Sequence, residues 1–306
     1  MSLSVGIVGL PNSGKSTLFN ALLKRQIAQV AEYPFTTIEP NTGVVEVPDE
    51  RLAKISQVTG ITKIVPAAIK FIDIAGLVKG ANEGEGLGNN FLAHIRETDA
   101  ILHVVRVFEN EKVSHPHGKI DPKYDIEIVN TELELAEIKK PMIYVLNINE
   151  NQLADAVIED ARAWSLTSSL EGKKVLTICA KLEMELSELT PGEQSQYLKE
   201  LEVRESGLDK VIKESYGLLH LITFFTIAKG TQIQAWPIKS GSTALEAASM
   251  VHTDMAKGFI KAEVVNWQEL VSSGLWQAAH EKGKVRLEGK DYQVQDGDVI
   301  EFKFHS

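Results

Sequence analysis

Gly9-Leu10-Pro11-Asn12-Ser13-Gly14-Lys15-Ser16 is the stretch whose reading decides the fold. It has the form G-x-x-x-x-G-K-[ST], and it lies between a β-branched apolar run, Ser4–Val8, and an amphipathic segment, Ser16–Lys24. In a strand–loop–helix setting this pattern is a phosphate cradle. Gly9 and Gly14 let the backbone curl, so that successive N–H groups point into one concavity at a helix N-terminus. Lys15 adds a compact positive charge for β- and γ-phosphates, and the Ser16 hydroxyl is a hard oxygen suited to Mg²⁺. The candidate nucleotide-binding residues here are Asn12, Ser13, Gly14, Lys15, Ser16 and Thr17.

Outward from this loop, short apolar runs alternate with amphipathic segments. Ile69–Ile74, Ala100–Val105, Met142–Asn147 and Lys174–Ile178 read as further buried strands. Asn89–Glu97, Ile126–Glu137, Ala154–Trp164 and Leu208–Leu219 read as helices between them. Such alternation predicts an α/β fold, a doubly wound and mostly parallel sheet. After about Phe224 the texture changes to Gln232–Pro237, Gly258–Val265, Asp291–Val294 and Val299–Phe304 around a helix starting near Ser242, a small α+β unit. The expected division is residues 1–222 and 223–306.

Composition narrows the function classes. The 306 residues carry 32 Lys+Arg against 42 Asp+Glu, a net charge of −10, which argues against non-specific nucleic-acid binding, DNA included, through bulk charge. From Lys229 onward nine basic residues face ten acidic ones, so the second unit is nearly balanced. Cys179 is the one cysteine, which rules out an internal disulfide and a cysteine-rich zinc site. No leader and no span of about 20 apolar residues is seen, so a cytoplasmic address without membrane attachment is expected.

Two further elements complete a triphosphate site. Asp73-Ile74-Ala75-Gly76 closes the strand Ile69–Ile74: the Asp73 carboxylate suits Mg²⁺ through water, and the Gly76 N–H suits the γ-phosphate. Gly80, Gly84, Gly86 and Gly88 follow, a permissive backbone for a segment that orders around a γ-phosphate. Tyr33-Pro-Phe-Thr-Thr-Ile-Glu-Pro40 offers Thr36 and Thr37 as candidates to complete the metal shell, and spacing does not choose between them.

These motifs, together with Gly86-Leu-Gly-Asn89, resemble those of the YchF type of Obg-related P-loop NTPases. Pieces further along the chain share the likeness: Ala235-Trp-Pro-Ile238, His252-Thr-Asp254, Lys257-Gly-Phe-Ile260 and Gly289-Lys-Asp-Tyr292. The resemblance runs over almost the whole chain. It implies a G domain followed by a β-grasp TGS domain, Mg²⁺-dependent ATPase activity, and association with the ribosome. It also assigns the switch metal role beside Ser16 to Thr37. One departure stands out: the family's long helical arm, between the helix near Glu137 and the strand near Met142, is missing.

The base and the attacking water are read from chemistry. Guanine-specific relatives carry Asn-Lys-x-Asp, whereas this chain has Asn147-Ile148-Asn149-Glu150, without the lysine and with a longer carboxylate stem. Backbone C=O and N–H groups near Ile148, beside Asn147, suit adenine, so ATP is expected over GTP. Leu77 stands where Ras-like proteins hold a water-orienting glutamine, so hydrolysis is expected to be slow or to use another group. His115 is one candidate for that group. Asn12 is another, through a K⁺ held by its side-chain oxygen beside the phosphates. The alternatives are a GTPase of the same fold and a non-catalytic nucleotide-sensing adaptor.

Overall fold

The computed structural model describes residues 3–27, 41–74, 87–153, 170, 172–201, 203, 205–228 and 230–305. The chain divides into two compact units: residues 1–45 with 69–219, and residues 46–68 with 220–306. The linear division at 222/223 is thus corrected in one respect, because residues 46–68 join the second unit. Their partners lie far along the chain, which no local pattern reveals.

In the first unit, β1 (Ser4–Val8), β2 (Thr42–Glu46), β4 (Ala68–Asp73), β5 (Ala100–Arg106), β6 (Met142–Asn147) and β7 (Lys174–Ile178) form one sheet in the order β2-β4-β1-β5-β6-β7. The pairs β1–β4, β1–β5, β5–β6 and β6–β7 are all parallel. Every residue of β1 and β5 is buried, as their near-continuous apolar runs require of strands covered on both faces. The helices are α1 (Lys15–Ile27), α3 (Leu87–Glu97), α4 (Pro122–Leu135), α5 (Ala180–Leu186), α6 (Pro191–Glu200) and α7 (Gly207–Leu218). The helix expected at Ala154–Trp164 lies outside the described residues. The chain lays β4 on one side of β1 and β5 on the other, so the order reverses at β1. Ligands of open α/β sheets bind at such a point, beyond the strands' carboxyl ends.

The junction between α4 and β6 closes compactly. Helix α4 starts with Asp121 accepting from the Tyr124 N–H, with Pro122 in its first turn. It stops in a Schellman turn: the Ile138 N–H donates to Leu133 O at 2.9 Å, the Glu137 N–H donates to Glu134 O at 2.9 Å, and Glu137 has φ 56°. A non-glycine residue in that conformation costs about 1–2 kcal/mol. Ile138 and Leu133 both pack into the same apolar cluster, which offsets part of that cost.

The second unit holds a sheet in the order β11-β10-β12-β8-β9-β3, made of β3 (Ile64–Val65), β8 (Leu221–Ala228), β9 (Gln232–Lys239), β10 (Phe259–Asn266), β11 (Arg286–Glu288) and β12 (Asp298–Phe304). Its helices are α2 (Glu50–Thr59), α8 (Ala244–Val251), α9 (Thr253–Lys257), α10 (Trp267–Ser273) and α11 (Trp276–Glu281). The expected strand Asp291–Val294 reduces to a single bridge, Thr243 with Gln293. Residues 46–68 are tied in by specific chemistry. Asp49 caps α2 by accepting from the Arg51 N–H at 2.9 Å. The Arg51 guanidinium donates to Asp49 and to Asp296, the latter at 2.7 Å, and lies 5.1 Å from the Phe225 ring centre. β3 pairs in parallel with β9, Ile64 opposite Ile233.

Candidate functional site

The phosphate loop leaves β1 against the end of β5. A Cβ on Gly9 would stand 2.3 Å from Val104 O, so only glycine permits this approach. Gly14 has φ 96°, and a Cβ there would stand 2.1 Å from Asn147 Nδ2. Asn12 turns the loop at φ 63°, a conformation that asparagine tolerates better than most residues.

Lys15 is only 7% exposed, and its Nζ donates to Leu10 O at 2.8 Å across the loop. Burial pushes its pKa down to about 8, partly opposed by the charge of Asp73. A phosphate would therefore supply the negative field that this ammonium lacks. Behind the loop, burial holds the His103 imidazole down to about 3, with the Lys15 charge adding to the effect, so it stays neutral.

Ser16 and Asp73 are brought together: Ser16 Oγ donates to Asp73 Oδ2 at 3.1 Å, while Asp73 Oδ1 is buried without a partner among the described residues. Burial raises the Asp73 pKa, and the Ser16 bond and Lys15 charge oppose the rise. A hydroxyl and an under-satisfied carboxylate are hard oxygen donors, so the residues present fit a divalent cation such as Mg²⁺. Bound there, such a cation would neutralise charge on phosphate oxygens. The Asp73 N–H donates to Asn41 O at 2.9 Å, tying β4 to the start of β2. Thr17 is exposed in the first turn of α1, and Ser13 is buried with its Oγ lacking a partner among the described residues. Thr36, Thr37, Gly76 and Leu77 lie outside the described residues.

Asn147 is a brace. Its Nδ2 donates to Ser13 O at 3.0 Å, and its Oδ1 accepts from the Ala180 N–H at 3.0 Å, linking the phosphate loop to the start of α5. Of the backbone groups near Ile148 expected to suit adenine, the Ile148 N–H is engaged, donating to Ile178 O at 2.8 Å, and Ile148 is buried. Asn149 Nδ2 donates to Glu109 O at 3.3 Å, and Glu150 Oε1 accepts from the Tyr197 hydroxyl at 3.3 Å. Cys179 is buried beside this loop, its thiol pKa raised by burial, in keeping with a packing role.

His115 is not a solvated loop residue. Its Nε2 lies 2.9 Å from Asp125 Oδ2, with both side chains 4% exposed, and its Nδ1 accepts from the His117 N–H at 3.3 Å. That pattern puts the proton on Nε2, which donates to Asp125. Burial raises the Asp125 pKa, and the His115 bond opposes the rise. The neighbouring Ser114 meets the phosphate loop: Asn12 Nδ2 donates to Ser114 O at 3.1 Å. Sequence reasoning missed Ser114, Asp125 and Arg106. The one available signal was an arginine closing a mostly apolar strand.

A model described as a 50S ribosome-binding GTPase matches residues 4–148, and a YchF C-terminal model, described as a protein of unknown function, matches 221–305. The ribosome-binding ATPase YchF of Bacillus subtilis (strain 168) is 42% identical, covering 100% of both chains. The protein of the same name from Escherichia coli O157:H7 is 40% identical, again over 100% of both. The Bacillus alignment spans 367 positions against 306 residues here, so at least 61 positions are filled by the relative alone. A solved structure titled as the Schizosaccharomyces pombe YchF GTPase superposes with a TM-score of 0.84 at 29% identity, covering 99% of this chain and 98% of that one. Matched at 40–42% identity over its whole given length, the chain belongs to the YchF family of P-loop NTPases.

Proposed function

We propose that this protein is a ribosome-associated switch of the cytoplasm that binds ATP with Mg²⁺ and hydrolyses it slowly. The observation that carries the nucleotide reading is the cluster of Lys15, Ser16 and Asp73 at the switch point of the sheet. The relatives' names divide between ATPase and GTPase, so the choice of base rests on chemistry. Asn147-Ile148-Asn149-Glu150 has no lysine to lie along a guanine, and the Glu150 carboxylate is engaged by Tyr197. Ribosome association is supported by the names of the full-length relatives. Competition binding tests the base: excess ATP should displace a fluorescent ATP analogue, and equal GTP should leave most of it bound. Equal displacement by the two would overturn the reading in favour of a GTPase. Retention of bound triphosphate over many hours in single turnover would favour a non-catalytic adaptor.

Hydrolysis needs a group other than Leu77. His115 can act only after its bonds to Asp125 and the His117 N–H rearrange. Asn12 has its Nδ2 committed to Ser114, which leaves Oδ1 as the oxygen for a K⁺ beside the phosphates. Replacing K⁺ by Na⁺ is expected to slow ATP hydrolysis several-fold, and Asn12→Gly, which tolerates φ 63°, should remove the difference. Equal wild-type rates in the two salts would leave Asn12 a turn residue and return attention to His115.

A further inference from the structure

Arg106 closes β5 and is 2% exposed. Its guanidinium hydrogen bonds, among the described residues, all go to backbone carbonyls of one loop. Nε donates to Phe108 O at 3.2 Å, Nη1 to Ser114 O at 3.0 Å, and Nη2 to Val113 O at 3.0 Å and Asn110 O at 3.3 Å. The Phe108 ring centre lies 4.6 Å from the guanidinium carbon. Burying a cation costs several kcal/mol unless its donors are met. Here four carbonyls meet four of its five N–H groups, so residues 108–114 are wrapped around one side chain.

The wrapped loop then faces the nucleotide site at three places. Ser114 O and Oγ accept from Asn12 Nδ2 at 3.1 and 3.4 Å. The Phe108 ring comes within 3.9 Å of where a Gly14 Cβ would sit. Glu109 O accepts from Asn149 Nδ2 at 3.3 Å. A planar fork of five donors can hold several carbonyls in fixed directions at once, which a lysine cannot do.

We propose that Arg106 is a positioning residue of the nucleotide site: it shapes residues 108–114 into a wall that holds Asn12 through Ser114, and so sets the affinity for the triphosphate. The inference rests on reading residues 9–16 as that site. A residue that only stabilised the fold would lower the melting temperature without coupling to Asn12.

The test is a double-mutant cycle in the full chain, with Mg²⁺-ATP affinity measured by calorimetry for wild type, Asn12→Gly, Arg106→Lys and the pair. Failure of the wild type to bind either ATP or GTP would sink the reading of the site, and this inference with it, before any variant is examined. With wild-type binding intact, Arg106→Lys and Asn12→Gly should each raise Kd about fivefold, and the pair should be no weaker than the poorer single variant. Multiplying effects, or a wild-type Kd for Arg106→Lys, would overturn the proposal. Should Arg106→Lys fail to fold, amide exchange on the wild type decides. Residues 108–114 should become more protected when Mg²⁺-ATP is added, and unchanged protection there would overturn the proposal.

Discussion

Lys15→Ala is expected to weaken Mg²⁺-ATP binding by about two to three orders of magnitude, through the loss of charge-assisted bonds to two phosphates. The side chain is pre-placed for this role. Its stem is buried, its Nζ is held over the loop by Leu10 O, and desolvation has already lowered its pKa to about 8. An arriving phosphate offsets that desolvation with its negative charge, and the attraction adds to the binding energy. Removal should spare the fold, because the ammonium's one hydrogen-bond partner among the described residues, Leu10 O, lies in the loop itself. The check is a calorimetric titration together with a melting curve of the free protein. Near wild-type affinity would overturn the assignment of the site.

Asn147→Ala should damage both the fold and the site. The substitution strands Ser13 O and the Ala180 N–H in a buried place and leaves a small void. Two orphaned groups and the void predict a stability loss of about 2–4 kcal/mol. For a protein of this size that lowers Tm by about 3–6 °C. Asn147→Asp should do no better, because its carboxylate would face Ser13 O where a donor is needed. A thermal melt within about 1 °C of wild type would mean that the brace carries no energy. The same loop should also lose ATP affinity, since the packing between Gly14 and Asn147 fixes its shape.

The phosphate loop was legible in the sequence because its chemistry is local. Strand, turn glycines, lysine and serine fall within Ser4–Ser16, and each acts through the backbone around it. Strands β1, β4, β5, β6 and β7 were legible as short apolar runs, most plainly β1 and β5, which are buried on both faces. The role of Arg106 was not legible, because all its acceptors are carbonyls and carbonyls leave no signature in side-chain types. The role of Asn147 was half legible: the residue type marked the base loop, but its direction toward Ser13 depends on packing across the sheet. Strand β8, Leu221–Ala228, follows α7 after two residues, and a continuous apolar run carries no period to mark the change. Ile64 and Val65 are too few to read as a strand, and their partner Ile233 lies far along the chain.

That long separation has a consequence for how the protein is made. Residues 46–68 emerge early in synthesis, but β8, β9 and β12 do not yet exist. At roughly 5–20 residues per second, the stretch from Ala68 to Phe304 takes about 12–50 s to translate. Until β9 and α10 are translated, Leu52 and Ile55, both buried in the finished protein, belong to a helix whose packing partners are still unmade. The segment must wait, exposed or shielded by other proteins, until those later elements are available. Residues 220–304 therefore complete a unit that began near residue 46.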